Sequence, residues 1–276
     1  MNDLRLQYYC SNCSTILKET HQEFELPHVI EPCPFCGSLL SESLQKKPLA
    51  KRTTRPVTTF EQASRIPRLT FDIEKLDSIL NFLRPNQTVG IVGDGSQKLI
   101  ERLCVRAQLP KRYGGFDSSV ILIDGGNSSD PYLCINFARQ YGLKVDDVLS
   151  KIITSRAFTV YQLESLITHE LQNAIIKYDA KFVIISDILG MFTDDPYLGP
   201  KEIKLILQNI ANSISKLKEC LVVISISKPT QYDDIISKLF DRTIRISKHR
   251  HRLSVEIDDK EPVQIKEAEL EMIPQR

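Results

Sequence analysis

A glycine-rich stretch that follows a short apolar run is the feature that most constrains this chain. Residues 88–97 read TVGIVGDGSQ, with Gly90, Gly93 and Gly95 close together. Gly90 and Gly95 have the spacing of a phosphate-binding loop, G-x-x-x-x-G-K-[ST], which joins a strand to a helix. Residues 98–108 continue with helical character. The stretch therefore predicts a strand, a glycine turn and a helix, the unit from which α/β domains with parallel sheets are built.

The residues that bind the phosphates and Mg²⁺ in such a loop are replaced by others in this chain. In a working loop the Lys reaches the β- and γ-phosphates and the Ser/Thr hydroxyl binds Mg²⁺. Here those two positions hold Ser96 and Gln97. Lys98 cannot replace the missing Lys, because two residues are about 200° apart on a helix. We expect a degenerate nucleotide loop without catalytic function, which puts ATP binding in doubt.

Composition is that of an ordinary globular protein. The 276 residues are 42% apolar and 26% charged, with a formal net charge of +1. Such a balance allows one large or two modest domains, and any nucleic-acid surface must come from local clusters of Lys and Arg. No apolar run reaches the roughly 18 residues that span a bilayer, and the N-terminus does not resemble a signal peptide. We expect a cytoplasmic protein.

Four of the seven cysteines stand in two C-x-x-C pairs near the N-terminus. Cys10 and Cys13 form the first pair, and Cys33 and Cys36 form the second after an interval of 19 residues. This spacing is typical of a zinc ribbon, in which two tight turns present four thiolates to a tetrahedral ion. Because four cysteines leave no open position for a substrate, we expect one structural Zn²⁺ in a domain that spans residues 1–40.

Residues 41–67 lose periodicity and contain several prolines, which predicts a linker. Seven Lys or Arg residues stand against one Glu between Lys46 and Arg68. This segment could contact phosphates, or it could be a solvated tether. Phe60 and Ala63 lie within it, and an aromatic and a small residue three positions apart can enter a pocket on a neighbouring molecule.

The remaining residues, 68–276, predict an α/β core. Apolar runs at 120–123, 182–185 and 221–224 are continuous, as in strands buried on both faces, and a short apolar strand at 88–92 precedes the glycine loop. Between them, residues 161–178 and 201–218 carry apolar stripes of helical period. Runs at 243–246, 253–257 and 262–265 alternate instead, which predicts an antiparallel extension with one solvated side.

A basic turn lies within this antiparallel extension. Arg245, Lys248, Arg250 and Arg252 cluster around it, and they are our candidate DNA contacts. Edge strands also carry charges merely to avoid aggregation, so the cluster has two interpretations.

With these segments in hand, the chain resembles the archaeal RadA branch of the RecA recombinases over roughly residues 65–265. The resemblance is carried by the glycine loop and by a co-linear series of short motifs. These are Arg106–Pro110, Gly114-Gly115, Val120–Asp124, Tyr141–Leu143, Asp146–Leu149 and Ser155–Phe158. It implies a RecA-like P-loop core, mainly parallel with antiparallel C-terminal strands, behind a small zinc ribbon. It also implies that Phe60 and Ala63 correspond to the F-x-x-A motif that docks into an adjacent core.

The departures from the family pattern concern its ATPase positions. The Lys-Thr pair of the family falls on Ser96-Gln97, and its catalytic Glu falls on Gly126. The Walker B Asp falls on Ser186, one residue before Asp187, and the sensor Gln falls on Ser227. The first DNA loop of the family, typically basic, carries Asp194 and Asp195 here.

The favoured interpretation is a catalytically inactive RadA-like paralogue. It would act as an accessory or mediator in DNA recombination and repair, by binding a RadA-type recombinase or itself, DNA, or both, in association with the nucleoid. One alternative is a divergent DNA-dependent ATPase that uses Lys98, Asp124 and Asp187. Another is a zinc-ribbon scaffold in replication or transcription, in which the core serves only for dimerisation.

Overall fold

The computed structural model describes residues 6–10, 16–20, 44–48, 67–194, 198–250 and 252–273. By its internal contacts the chain divides into two compact units, Met1–Ser64 and Arg65–Arg276. Cys10 is the last residue of a described strand, but its side chain lies outside the described part of the structure. Cys13, Cys33, Cys36, Phe60 and Ala63 lie outside it altogether, so the zinc ribbon and the docking motif stay predictions.

The described part of the first unit is a three-stranded antiparallel sheet. Strands β1 (Leu6–Cys10), β2 (Ile16–Thr20) and β3 (Leu44–Pro48) are arranged in the order β2-β1-β3. β3 pairs with β1 over its whole length, from Leu44 opposite Cys10 to Pro48 opposite Leu6. Residues 44–48 thus belong to a sheet, within the range for which the sequence predicts a linker. Their sequence, LQKKP, has too few apolar residues to indicate a strand.

The second unit is built on an eight-stranded sheet with the order β11-β10-β9-β4-β8-β7-β5-β6. β4, β5, β6, β7, β8 and β9 are mutually parallel, while β10 and β11 extend the sheet antiparallel to them. The strands are β4 (Thr88–Gly93), β5 (Val120–Asp124), β6 (Ile152–Arg156), β7 (Phe182–Ser186), β8 (Leu221–Ile226), β9 (Arg242–His249), β10 (Arg252–Ile257) and β11 (Val263–Lys266). This is the α/β architecture of a RecA-like core, as the sequence predicts.

Helices connect the strands and cover the sheet. They are α1 (Glu74–Leu80), α2 (Ser96–Arg106), α3 (Pro131–Gln140), α4 (Val145–Ser150), α5 (Val160–Ser165), α6 (Leu171–Tyr178), α7 (Gly190–Asp194), α8 (Pro200–Ile214), α9 (Asp233–Ser237) and α10 (Glu267–Glu271). A short 3₁₀ helix spans Lys111–Tyr113, and a π-helical turn, Leu166–Glu170, joins α5 to α6. None of the described helices is long and apolar enough to cross a membrane.

Two hydrophobic clusters pack against the sheet. One includes Leu99 and Leu103 of α2 and the C-terminal strands, and the other includes Leu163 of α5 and Leu207 of α8. β5, β7 and β8 are buried along their whole length, as their continuous apolar runs predict. Cys104, Cys134 and Cys220, which the sequence places in apolar segments, are buried free thiols.

Candidate functional site

The glycine loop joins the carboxyl end of β4 to the start of α2. Gly93 has a φ of 104° and Gly95 a φ of 95°, both in the left-handed region that favours glycine. A Cβ on Gly93 would lie 2.0 Å from the carbonyl oxygen of Ile246 in the neighbouring strand β9. The close approach of β9 therefore requires glycine at position 93. α2 begins at Ser96, whose side chain is buried.

The side chain of Gln97 connects the loop to two other elements. Its Oε1 accepts hydrogen bonds from the Ser186 hydroxyl at 3.0 Å and from the Ser128 hydroxyl at 3.1 Å. Its Nε2 donates to Oε1 of Glu101, one turn along α2, at 2.6 Å. Ser186 ends β7, and Ser128 lies in the segment after β5. The first turn of α2 is thus joined directly to the ends of two parallel strands by neutral polar groups.

Glu101 continues this network into the interior. Besides Gln97, its carboxylate accepts hydrogen bonds from the backbone N–H of Asp130 at 2.8 Å and from the thiol of Cys134 at 2.9 Å. Burial raises the pKa of Glu101. Contact with Cys104 and burial raise the pKa of the Cys134 thiol. Because Asp130 is the N-cap of α3, the network fixes the start of α3 against α2.

Asp124, the last residue of β5, is fully buried and holds the turn that follows its own strand. It accepts hydrogen bonds from the backbone N–H groups of Ser128 and Ser129 and from the Ser129 hydroxyl. Nε of Arg156, at the end of β6, lies 3.3 Å from Oδ2 of Asp124. Both oxygens of the carboxylate therefore have hydrogen-bond donors, from its own turn and from Arg156.

Asp187 is the first residue after strand β7, and its backbone has a φ of 48°. Its Oδ1 accepts hydrogen bonds from the backbone N–H of Ser227 at 3.0 Å and from the Ser227 hydroxyl at 2.7 Å. A Cβ on Gly126 or on Gly190 would lie 2.6 Å from its Oδ2. Glycine at position 126, where the resemblance places the catalytic Glu, thus leaves room for this carboxylate. Asp187 faces an open cleft of about 750 Å³ that is also lined by Phe158.

Lys98 points away from the loop, toward the C-terminal helix α10. Its ammonium pairs with Glu267 at 3.0 Å and also with Glu271. Glu267 also pairs with Lys248 of β9, at 2.9 Å. Lys98 is therefore directed toward Glu267 and Glu271 and not toward the phosphate position of the glycine loop.

Arg102, one turn after Lys98, is fully buried. Its guanidinium donates to the carbonyl oxygens of Phe71 at 2.6 Å and Asp72 at 2.7 Å, both before α1. It also donates to Leu270 at 3.2 Å and Met272 at 2.9 Å, at the end of α10. One side chain of α2 therefore joins the first and the last segments of the described core.

The four candidate DNA contacts do not form one cluster. Arg245 and Lys248 have opposite parity on β9, so their side chains leave opposite faces of the sheet. Arg245 pairs with Glu256 at 3.1 Å and with Asp259. Arg250 occupies the β9–β10 turn with a φ of 56°. Arg252 lines a groove of about 550 Å³ together with Lys98 and Lys266.

Two of the three cationic residues that line this groove, Lys98 and Lys266, are not indicated by the sequence as its members. Lys266 is the partner of Arg252 in the β10–β11 ladder, and only the register of the two strands brings them together. Among the described residues, no group of three or more His, Cys, Asp or Glu side chains is arranged to hold a metal ion. Of the four predicted zinc ligands, Cys13, Cys33 and Cys36 lie outside that part of the chain, as does the side chain of Cys10.

Comparisons with known proteins agree with the fold. The family model described as Rad51 matches residues 66–227, more than half of the chain. The meiotic recombination protein DMC1 homolog A of Oryza sativa subsp. japonica is 26% identical over 156 residues. That match covers 55% of this chain and 45% of the relative, so the chain aligns with less than half of the relative's length.

Proposed function

The chain belongs to the Rad51 family, and from this premise we propose that it is an accessory protein of DNA recombination and repair that does not hydrolyse ATP. It would act by binding a recombinase, DNA or both. The match to a family model and the distant similarity to a meiotic recombination protein support a role in recombination and repair. The geometry of the glycine loop supports the lack of hydrolysis.

The observation that carries this proposal is the 3.0 Å hydrogen bond between Gln97 and Ser186. By the resemblance, these two residues stand where an active enzyme has its Mg²⁺-binding hydroxyl and its Walker B carboxylate. Those groups need the metal between them. Here the Ser186 hydroxyl donates to Oε1 of Gln97, which also accepts a hydrogen bond from Ser128, and Nε2 of Gln97 donates to Glu101. The residues present therefore do not fit a triphosphate with its magnesium ion.

The geometry also argues against an ATPase that uses Lys98, Asp124 and Asp187. Lys98 pairs with the carboxylates of α10. Asp124 is fully hydrogen-bonded within its own turn, and Asp187 is bound to Ser227. General-base catalysis needs a group within about 3 Å of the water that it activates, beside the phosphate it attacks. These three groups lie in three separate surroundings.

The proposal predicts that the purified chain releases no phosphate from ATP and Mg²⁺ above a protein-free blank, with or without single-stranded DNA. It also predicts that the chain co-purifies with a RadA-type recombinase of its own organism, with DNA, or with both. Phosphate release that Asp124→Asn or Asp187→Asn abolishes would overturn the lack of hydrolysis. Failure to bind either partner would overturn the accessory role.

For the recombinase contact, we propose Phe60 and Ala63 as the docking residues. Burial of an aromatic ring in a preformed pocket contributes about 1.5–3 kcal/mol, and such head-to-tail contacts can propagate or cap a filament. Phe60→Ala should weaken association with the recombinase or with a second copy, without lowering the melting temperature. If association is unchanged and the melting temperature falls, Phe60 packs on its own chain and the docking proposal is wrong.

A further inference from the structure

A groove between the glycine-loop helix and the C-terminal hairpin collects an excess of positive charge. It has a volume of about 550 Å³ and lies between α2, β10, β11 and α10. Its lining contains three cationic side chains, Lys98, Arg252 and Lys266, and two carboxylates, Glu267 and Glu271. Lys248 reaches the same site from β9, through its ion pair with Glu267.

The two carboxylates are already occupied by two of the four cations. Glu267 pairs with both Lys98 and Lys248, and Glu271 pairs with Lys98. Lys248 and Lys98 hold the pKa of Glu267 at about 2, so this carboxylate is charged throughout the physiological range. The other two cations, Arg252 and Lys266, are left without a counter-charge from these groups.

Arg252 and Lys266 are placed so that an anion between them would be favourable. They are directly opposite each other in the antiparallel β10–β11 ladder, both exposed. Like charges in opposite positions destabilise a strand pair. Within residues 67–194, 198–250 and 252–273, neither side chain forms an ion pair. An anion that bridges the two would relieve their repulsion and supply the missing negative charge.

We propose that this groove binds the phosphate backbone of a DNA strand, with Arg252 and Lys266 as the phosphate ligands and Glu267 and Glu271 as built-in competitors that occupy Lys98 and Lys248. The inference rests on the DNA-binding part of the proposed function and locates it. The guanidinium fork of Arg suits bidentate contact with a phosphate, while Lys supplies a point charge. The groove is open and carries charged side chains, which suits a chain of phosphates better than an enclosed small molecule.

The competitor role predicts that the effects of charge changes on DNA binding are largest at the residues of this groove. When phosphate enters, Lys98 and Lys248 can exchange a carboxylate for a phosphate oxygen. Removing one carboxylate should therefore strengthen DNA binding, whereas removing Arg252 and Lys266 should weaken it. If DNA binding depended only on net charge, changing matched lysines elsewhere on the surface would alter the affinity as much as changing these residues.

The test uses the full chain and a fluorescent single-stranded oligonucleotide, with affinity measured by anisotropy over a range of salt concentrations. Arg252→Glu with Lys266→Glu should weaken binding at least tenfold at low salt. The slope of log K against log salt should become shallower by about 1.4, or about 0.7 for each of two phosphate contacts. Glu271→Gln should strengthen binding at least twofold.

The matched control reverses two exposed lysines outside the groove, Lys218 and Lys260. Lys260 lies at the other end of the β10–β11 hairpin. This double variant should bind within twofold of the wild type. Since charge reversal could disturb folding, Arg252→Gln with Lys266→Gln is a second test: it removes the like-charge pair, so the melting temperature should hold or rise while affinity falls.

The inference is overturned if the groove variants bind like the control, if Glu271→Gln weakens binding, or if the wild type binds no oligonucleotide. Inorganic pyrophosphate alone separates the two sources of phosphate. If it raises the melting temperature of the wild type but not of the Arg252→Gln, Lys266→Gln variant, while both bind the oligonucleotide equally, the groove is a site for free anions and the DNA proposal is wrong. Co-purification with the recombinase is measured on the same variants, so failure of the groove is distinguishable from failure of the accessory role.

Discussion

Gln97 is held by three partners from three parts of the core, Glu101, Ser128 and Ser186. Loss of this side chain would leave its partners with unsatisfied hydrogen-bonding groups, and buried polar groups without partners lower the stability of the folded state. The network therefore fixes the first turn of α2, which follows the glycine loop, against the ends of β5 and β7. The N-terminus of a helix after such a turn is otherwise suited to bind an anion.

Gln97→Ala should lower the free energy of unfolding by about 1–3 kcal/mol, because Ser186 and Glu101 lose a hydrogen-bond partner in the interior. Urea denaturation followed by circular dichroism measures the change. Gln172→Ala, at an exposed position of α6, is the control and should change stability by less than about 0.5 kcal/mol. Equal effects of the two substitutions would show that the network does not stabilise the loop.

The residues of this network could be predicted only in part from the sequence. The absence of Lys and Thr at positions 96 and 97 is visible in the motif itself. The contact of Gln97 with Ser186 is not, because the two residues are 89 positions apart and meet only when β4 and β7 are placed in one sheet. Asp187 follows the last residue of β7, and no local sequence signal indicates that its backbone leaves the strand in the left-handed region.

Helix α2 contacts segments near both ends of the described core. Arg102, in the middle of this helix, donates hydrogen bonds to carbonyl groups before α1 and at the end of α10. Carbonyl groups at a helix C-terminus lack partners within the helix, so a cation placed there satisfies them and complements the helix dipole. This contact positions the short α10 beside Lys98.

Arg102→Met should destabilise the core by about 3 kcal/mol or more, since it removes charge-assisted hydrogen bonds to buried carbonyl groups. The free energy of unfolding measures the loss. Arg139→Met, at an exposed position of α3, is the matched control and should be nearly neutral. The interpretation of Arg102 as the tie between the two segments is wrong if both variants unfold alike.

The ion pairs of Glu267 give α10 a dependence on pH. Lys248 and Lys98 lower the pKa of this carboxyl from 4.5 to about 2 in the folded chain. A lowered pKa stabilises the folded state at pH values above 4.5, and the contribution is lost as the pH falls through about 2. The difference in unfolding free energy between the wild type and Glu267→Gln should therefore be constant near neutral pH and shrink between pH 4.5 and 2. Glu261→Gln, on the adjoining hairpin, should show no such trend.

Strands with a continuous apolar run or a clear alternation could be predicted, and a strand with neither pattern could not. The runs at 120–123, 182–185 and 221–224 predict β5, β7 and β8, and the alternating runs predict β9, β10 and β11. β6 was missed, because Ile152–Arg156 is an edge strand whose side chains are partly exposed and whose sequence, IITSR, shows neither a continuous run nor a clear alternation. The helix predicted over 161–178 is present, but its period changes at a π-helical turn that no local signal indicates.

For the whole molecule, we expect one Zn²⁺ per chain, bound by Cys10, Cys13, Cys33 and Cys36. Four thiolates in two C-x-x-C turns match the tetrahedral preference of zinc. Elemental analysis of the purified chain measures the ratio. Cys33→Ser with Cys36→Ser should abolish binding, while Cys220→Ser, at a buried free thiol of the core, should leave the zinc content unchanged. Zinc that survives the double substitution would contradict the ribbon.

The contact of Arg102 with both Phe71 and Met272 has a consequence for the connectivity of the chain. A single guanidinium spans these two carbonyl groups, so the points where the backbone enters and leaves the core are neighbours in space. A circular permutant that joins residue 273 to residue 68 through a short glycine-serine linker, and that opens the chain at the exposed turn after β10, should keep the same sheet order. This result would show that the order in which the segments of the core are synthesised is not required for its architecture.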